Sequence, residues 1–291
     1  MATNISDTVT QTINSLFGNL FSSIDSNLYK ALDSITFITT DTINSSSFEK
    51  IFGKSSSSGF LLIANALLVG FIIYYFARHM LSSFAIVESQ NPYKFIFKLI
   101  IIGICMNSSF YICEQIINLN SLISDSIRAV GQDLLHTEIC FSALVNKLNL
   151  VIYKESIGTN IFSIDGIIKS VISIGFFNLI FSYSIRYIMI KVFVLIAPFS
   201  ILCLSLKQTS IFFKSWLKCF IALLLTEILA SVILIVMFSI SYSSNDLIFK
   251  LLFIGSIFAL MKANTYVREF IGGISTDLGQ NILALSSMFR N

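Results

Sequence analysis

Apolar positions in this chain fall into long blocks rather than into the alternation expected of strands. Five stretches are nearly free of charge and read as long enough to cross a bilayer as helix, which takes roughly 20 residues. They are Gly59 to Ala77, Phe95 to about Ile117, the region 166–206, about Cys219 to Ile240, and about Leu247 to Met261. The third block holds about 40 residues, enough for one long helix or a hairpin of two. Between the blocks the period changes to that of amphipathic helix. Residues 5–38 space Ile5, Val9, Ile13, Leu16, Leu20, Ile24, Leu28, Leu32 and Ile35 along one face. Leu119, Ile123, Ile127, Leu134, Ile139 and Leu144 repeat the pattern within 116–148, and Val267 to Phe289 repeats it at the end. Gly272, Gly273 and Gly279 interrupt that last segment and predict bends.

Basic residues choose between five and six spans, because short cytoplasmic loops are enriched in Lys and Arg. Arg78, Lys94 and Lys98 mark one connection, Lys207, Lys214 and Lys218 the next, and Lys262 and Arg268 follow the last block. Five spans place all three clusters on one side. The expected fold is therefore all-α and multispanning, with about five transmembrane helices, an outer N-terminus and a cytoplasmic C-terminus. Residues 1–58 become an extracytoplasmic helical segment and 59–117 the first two spans. Residues 118–165 become an extracytoplasmic helical loop, 166–261 spans three to five with a cytoplasmic turn near 207–218, and 262–291 a cytoplasmic tail. The two outer segments each hold five acids and three bases, in keeping with that orientation. Lys30 is the first positive charge, so the basic start of an ordinary signal peptide is not expected.

Composition supports a membrane protein. Hydrophobic residues make up 55% and charged ones 12% of the 291 positions, against about 45–50% and 25% in soluble domains. A formal charge of +3 does not point to a broad nucleic-acid-binding surface. Cys105, Cys113, Cys140, Cys203 and Cys219 form no CxxC pair, and His79 and His136 have no ligand at metal spacing, so no metal or cofactor is expected. Gly53-Lys54-Ser55 resembles the end of a phosphate-binding loop, but Phe48 stands where its first glycine belongs. Motifs for hydrolysis or acyl transfer are lacking too, so no enzyme is expected.

Charges within spans carry a cost of about 2.5–3.5 kcal/mol at the bilayer centre and mark the candidate site. They are Arg186 and Lys191 in the third block and Glu227 in the fourth. Lys191 and Glu227 are expected to pair across antiparallel helices, whether to hold them together, to line a conduit or to relay protons. Pro198 predicts a kink or the exit of the third span. Trp216, between Lys214 and Lys218, is expected at the head-group level; Trp216→Ala is expected to weaken assembly or transfer and to leave insertion intact. Gly255 and Ala259 are spaced to let another helix approach closely.

Pro198-Phe199, Lys207 to Thr209, Phe213 and Trp216, set in that turn, resemble the TrbL-like polytopic inner-membrane channel subunits of bacterial type IV secretion and conjugation systems. The span layout and the large outer loop are similar as well, although the long extracytoplasmic tail of some members is lacking. The resemblance implies a bacterial inner-membrane location and a homo-oligomer forming part of a conduit for DNA or protein. It implies membrane lipid and other secretion subunits as partners, and separate ATPases as the energy source. A contact role for Pro198, Lys207, Phe213, Lys214, Trp216 and Lys218 follows. A small-molecule permease and a non-transporting structural membrane protein are the alternatives; the permease class commonly shows internal repeats and paired helix breaks, which this chain does not.

Overall fold

The computed structural model describes residues 26–54, 58–82, 92–144, 164–206, 209–240 and 247–271. The start and end of the predicted amphipathic segments, Lys207, and Gly272, Gly273 and Gly279 lie outside them. Every regular element among the described residues is helical. We number the α-helices α1 Ser26–Thr36, α2 Ser46–Phe52, α3 Phe60–Ser82, α4 Pro92–Asn107, α5 Ser109–Leu135, α6 Ile164–Leu202, α7 Ser210–Ser239 and α8 Leu247–Ile271. Short 3-10 turns occupy Thr40–Thr42 and Cys203–Ser205.

The ambiguous 40-residue block is one helix, α6. Pro198 lies inside it, without an N–H for the carbonyl of Val194, and the helix ends four residues later. Among the described residues three helical stretches are long and apolar enough to cross a membrane: Phe60–Leu81, Ser170–Ser205 and Ser210–Ser239. A fourth counts if Ile96–Asn107 and Ser109–Leu135, bent by 59°, are one span. The predicted second span is thus broken at Ser108, and the predicted fifth, within α8, is not among these stretches. The break has a local cause. Asn107 turns its amide onto the carbonyl of Gly103 (2.8 Å) and onto Asn65 (3.2 Å), and polar side chains of this kind compete with the helical ladder.

Side-chain registers set the bundle. Trp216 donates to the carbonyl of Phe193, and Arg186, seven residues earlier on α6, donates to the carbonyl of Leu223, seven residues later on α7, so α6 and α7 are antiparallel. α5 runs parallel to α7: Phe110 lies with Phe220, Asn120 with Glu227, Ser124 with Ser231, and Gly131 with Ile235. α8 packs on both, with Ile257 2.8 Å from where a Cβ on Gly175 would stand.

The described parts of the two segments expected to be extracytoplasmic, 26–54 and 118–144, pack along this bundle. α1 to α2 descends along α6, with Tyr29 against Phe176 (5.8 Å between ring centroids), Thr36 at Arg186, and Phe48 beside Lys191. Fifteen residues of α6 separate Phe176 from Lys191, about 22 Å of helix. The reason is burial: Leu32, Phe37, Ile38, Ile43 and Phe52 bury their side chains in the apolar clusters of the bundle. α5 likewise covers α7 with Ile117, Asn120 and Ser124, while its predicted apolar face, Leu119 and Ile123, points outward.

The arrangement of α3 departs from five spans side by side. That layout puts the start of α3 and the end of α6 on opposite membrane faces. Here Phe60 meets Phe199 (6.1 Å), Ala64 packs with Ile201 and Leu202, and Lys98 reaches the carbonyl of Ser205 (3.1 Å). α3 and α4 form an arm that joins the bundle at the end of α6. Two glycines shape the lead into it: Gly59 has φ 154°, and a Cβ there would stand 2.6 Å from the Cα of Gly53.

At the opposite end Asp33 clasps the chain. It accepts hydrogen bonds from the Phe141 N–H (2.7 Å), the Ser142 N–H (3.2 Å) and the Ser142 hydroxyl (2.8 Å). Burial raises its pKa above the ordinary 3.8, against the opposing pull of these bonds and of Arg128. Since the native carboxyl then holds its proton more tightly than the unfolded one, Asp33 adds stability below 3.8 and loses that contribution as pH rises through its native value. Unfolding midpoints in detergent at pH 7 and pH 4.5 should show the wild type gaining on Asp33→Asn as pH falls; a wild type that loses ground would contradict this balance.

Candidate functional site

Arg186 is the largest fully buried side chain, with 1% exposure. Its guanidinium ties three elements together. Nε donates to the carbonyl of Leu223 on α7 (2.6 Å), Nη1 to the carbonyl of Thr36 at the end of α1 (2.9 Å), and Nη2 to Oε2 of Glu227 (3.4 Å). α5 closes the cluster. Asn120 donates to the same Oε2 (3.0 Å), and the hydroxyls of Ser124 and Ser231 lie 2.8 Å apart. Glu227 Oε1 is buried without a hydrogen-bond partner, as are the Tyr183 hydroxyl and the Thr36 Oγ1. The Ile38 N–H and the Ser124 hydroxyl lie within electrostatic reach of the carboxylate. The cluster has one positive and one negative group, with hydroxyls and amides around them. Chemically it can hold helices in register and keep a charge dry; among the described residues no group of three or more metal-ligating side chains accompanies it.

The partner of Glu227 is therefore Arg186 and not Lys191. Five residues separate the two cations, and at 3.6 residues per turn they point about 140° apart. Lys191 lies 4.9 Å from the ring of Tyr187 and 5.9 Å from that of Phe48, where an ammonium is held by ring faces. Trp216 is also placed differently from expectation. It is buried, bonded to Phe193 (3.0 Å), stacked on Phe220 at 5.5 Å and near Phe213 at 5.8 Å. Trp216→Ala is thus a core lesion, of about 3–5 kcal/mol, and no clean probe of a surface contact. Lys214 and Lys218 are exposed on the same helix. Among the described residues nothing lies within 4 Å of where a Cβ on Gly255 would stand; with Ala259, Val232, Val236 and Leu252 it lines an apolar groove of about 510 Å³ between α7 and α8.

A second feature surrounds the cluster. On one side of the bundle a polar strip faces outward, with Lys30, Ser34, Asp41, Asn44 and Lys50 from α1 to α2 and Gln115, Asn118, Asp125, Gln132 and Asp133 on α5; beside it Ile51, Leu119, Ile123, Val130 and Leu134 are exposed too. Two contacts join these strips: Asn44 donates to Glu114 (2.8 Å), and Arg128, paired with Asp125, lies 3.9 Å from the ring of Phe37. On the other side, at the same heights along α6, the outward residues are Phe177, Phe181 and Ile188, with Val232 and Val236 on α7 and Leu251 on α8.

Sequence reading found Arg186 and Glu227 from their cost in lipid. It missed Asn120, Ser124 and Ser231, whose signal is a small and polar stripe at helical spacing, Cys113, Asn120, Ser124 and Gly131, running beside the apolar one.

No protein-family model matches the chain, and comparison with curated proteins and with solved structures found no match either.

The ion pair generates a prediction. Arg186→Met leaves Glu227 buried and uncompensated and should cost about 3–5 kcal/mol, read from unfolding in mild detergent. Adding Glu227→Met should recover much of that loss; a double variant no more stable than the single one would show that the two charges are not coupled.

Proposed function

We propose that this protein is a channel or scaffold subunit of a conjugative type IV secretion apparatus in a bacterial cell membrane, contributing to the conduit for DNA or protein and catalysing nothing itself. One observation carries the reading: a bundle with an apolar outer side on α6, α7 and α8 and, at the same heights, an outward strip of Asp, Lys, Gln, Asn and Ser along α1, α2 and part of the outer surface of α5. Apolar side chains of this density are stable against lipid, whereas exposed Asp, Lys, Gln and Asn need water. A wall between lipid and an aqueous path has this division. Copies of the chain assembled with their polar sides inward would enclose such a path. Supporting this, the polar strip runs from α1 and α2 onto α5, joined by Asn44 to Glu114, and the Arg186 cluster fixes α1 and α5 to α6 and α7. The resemblance in the turn at Pro198 to Trp216 supplies the machine; energy would come from its separate ATPases. Among the described residues of that turn, Lys214 and Lys218 are the charged side chains exposed to meet a partner.

Two measurements test it. In a variant whose five native cysteines are replaced, a membrane-impermeant maleimide applied to membranes should modify Ser34→Cys and Asn118→Cys and leave Phe177→Cys and Val232→Cys unmodified. Equal labelling of both sides would sink the wall reading. Lys214→Glu combined with Lys218→Glu should lower conjugative transfer at least tenfold with unchanged protein level and unfolding midpoint; full transfer by that variant would remove the turn from the contact surface.

A further inference from the structure

The polar side has a charge and a texture that bear on what it would pass, and this step rests on the conduit reading above. Within residues 26–54 and 109–138 it carries seven acids, Asp33, Asp41, Glu49, Glu114, Asp125, Asp133 and Glu138, against four bases, Lys30, Lys50, Lys54 and Arg128, a net of −3. Two of the bases are engaged locally, Lys54 with Glu49 (2.7 Å) and Arg128 with Asp125. The aromatic residues of this side turn inward: Tyr29, Phe37, Phe48, Phe52 and Phe110 are all buried, and Tyr111 is the exposed exception among the described residues.

Sites for single-stranded nucleic acid combine a basic groove that follows the phosphates with aromatic faces on which bases stack. This surface has neither. Repeated around an assembly, a net negative lining raises the local concentration of cations and repels a polyanion. Its neutral Gln, Asn and Ser groups offer hydrogen bonds to a peptide backbone without demanding a particular side chain. We propose that the polar side of this bundle is a lining selective for cations and for neutral or basic polypeptide, and that it excludes single-stranded nucleic acid.

The full chain, reconstituted in planar bilayers of zwitterionic lipid, tests this through its reversal potential in a KCl gradient near 0.1 M, where the Debye length is about 10 Å and lining charges are still felt. Expected is a K⁺ permeability severalfold that of Cl⁻. Asp41→Lys, Asp133→Lys and Glu138→Lys together move the lining from −3 to +3 per copy and should invert the preference. A short basic peptide should block the wild-type current, and a single-stranded oligonucleotide only that of the triple variant. Anion preference in the wild type, or block of its current by the oligonucleotide, overturns the proposal while leaving a conduit in place. A folded, inserted assembly that carries no current removes the conduit and the proposal with it.

Discussion

A guanidinium taken out of water must find acceptors for its N–H groups, and Arg186 finds them on parts of the chain remote in sequence. Thr36 lies 150 residues away, Leu223 and Glu227 about 40. Hydrogen bonds from an ionised donor are stronger than neutral ones, and a buried charge left unpaired is strongly destabilising. The position of α1, the register of α6 on α7 and the seat of α5 on Glu227 are consequently not independent. A slide of one turn between α6 and α7 would leave the charge without partners. Apolar clusters on either side of Arg186 fill space, yet shape alone permits neighbouring registers; the charge permits one.

That constraint also makes the bundle two-sided. With α1, α2 and α5 held on one flank of α6 and α7, their polar outer residues form one strip, bordered by the exposed Leu119, Ile123, Val130 and Leu134 of α5, and the apolar outer residues of α6, α7 and α8 share the other flank. The clasp of Asp33 on Phe141 and Ser142 extends the same construction to the end of the bundle. A conduit wall needs this division more than it needs any single reactive group. The arm of α3 and α4 is built differently. It is tied by Asn65 to Asn107 and by Lys98 to Ser205, with most of its apolar surface outward.

Much of this architecture was legible before folding was considered. Block hydropathy determined the helical, membrane-seeking character of the chain, because apolar runs of this length have few other solutions. The cost of charge in lipid singled out Arg186 and Glu227. Periodicity located α1 and α5 as amphipathic helices, yet it could not say which face is buried. On α5 the stripe of Leu119 and Ile123 faces outward and the stripe of Asn120 and Ser124 faces in, because Glu227 and Ser231 on α7 offer those polar groups partners. Tryptophan between two lysines reads as an interface anchor from sequence; a carbonyl on α6 made Trp216 a core residue.

Sequence by itself determined that the chain is helical, that several of its segments are apolar enough to cross a membrane, and which charges within them need partners, since these follow from local propensity and transfer energy. Tertiary structure decided the partner of Glu227, the meeting of α3 with the end of α6, and the side of the bundle on which the polar residues gather. Each of these depends on the angle at which side chains leave helices distant in sequence, and a one-dimensional pattern does not carry that angle.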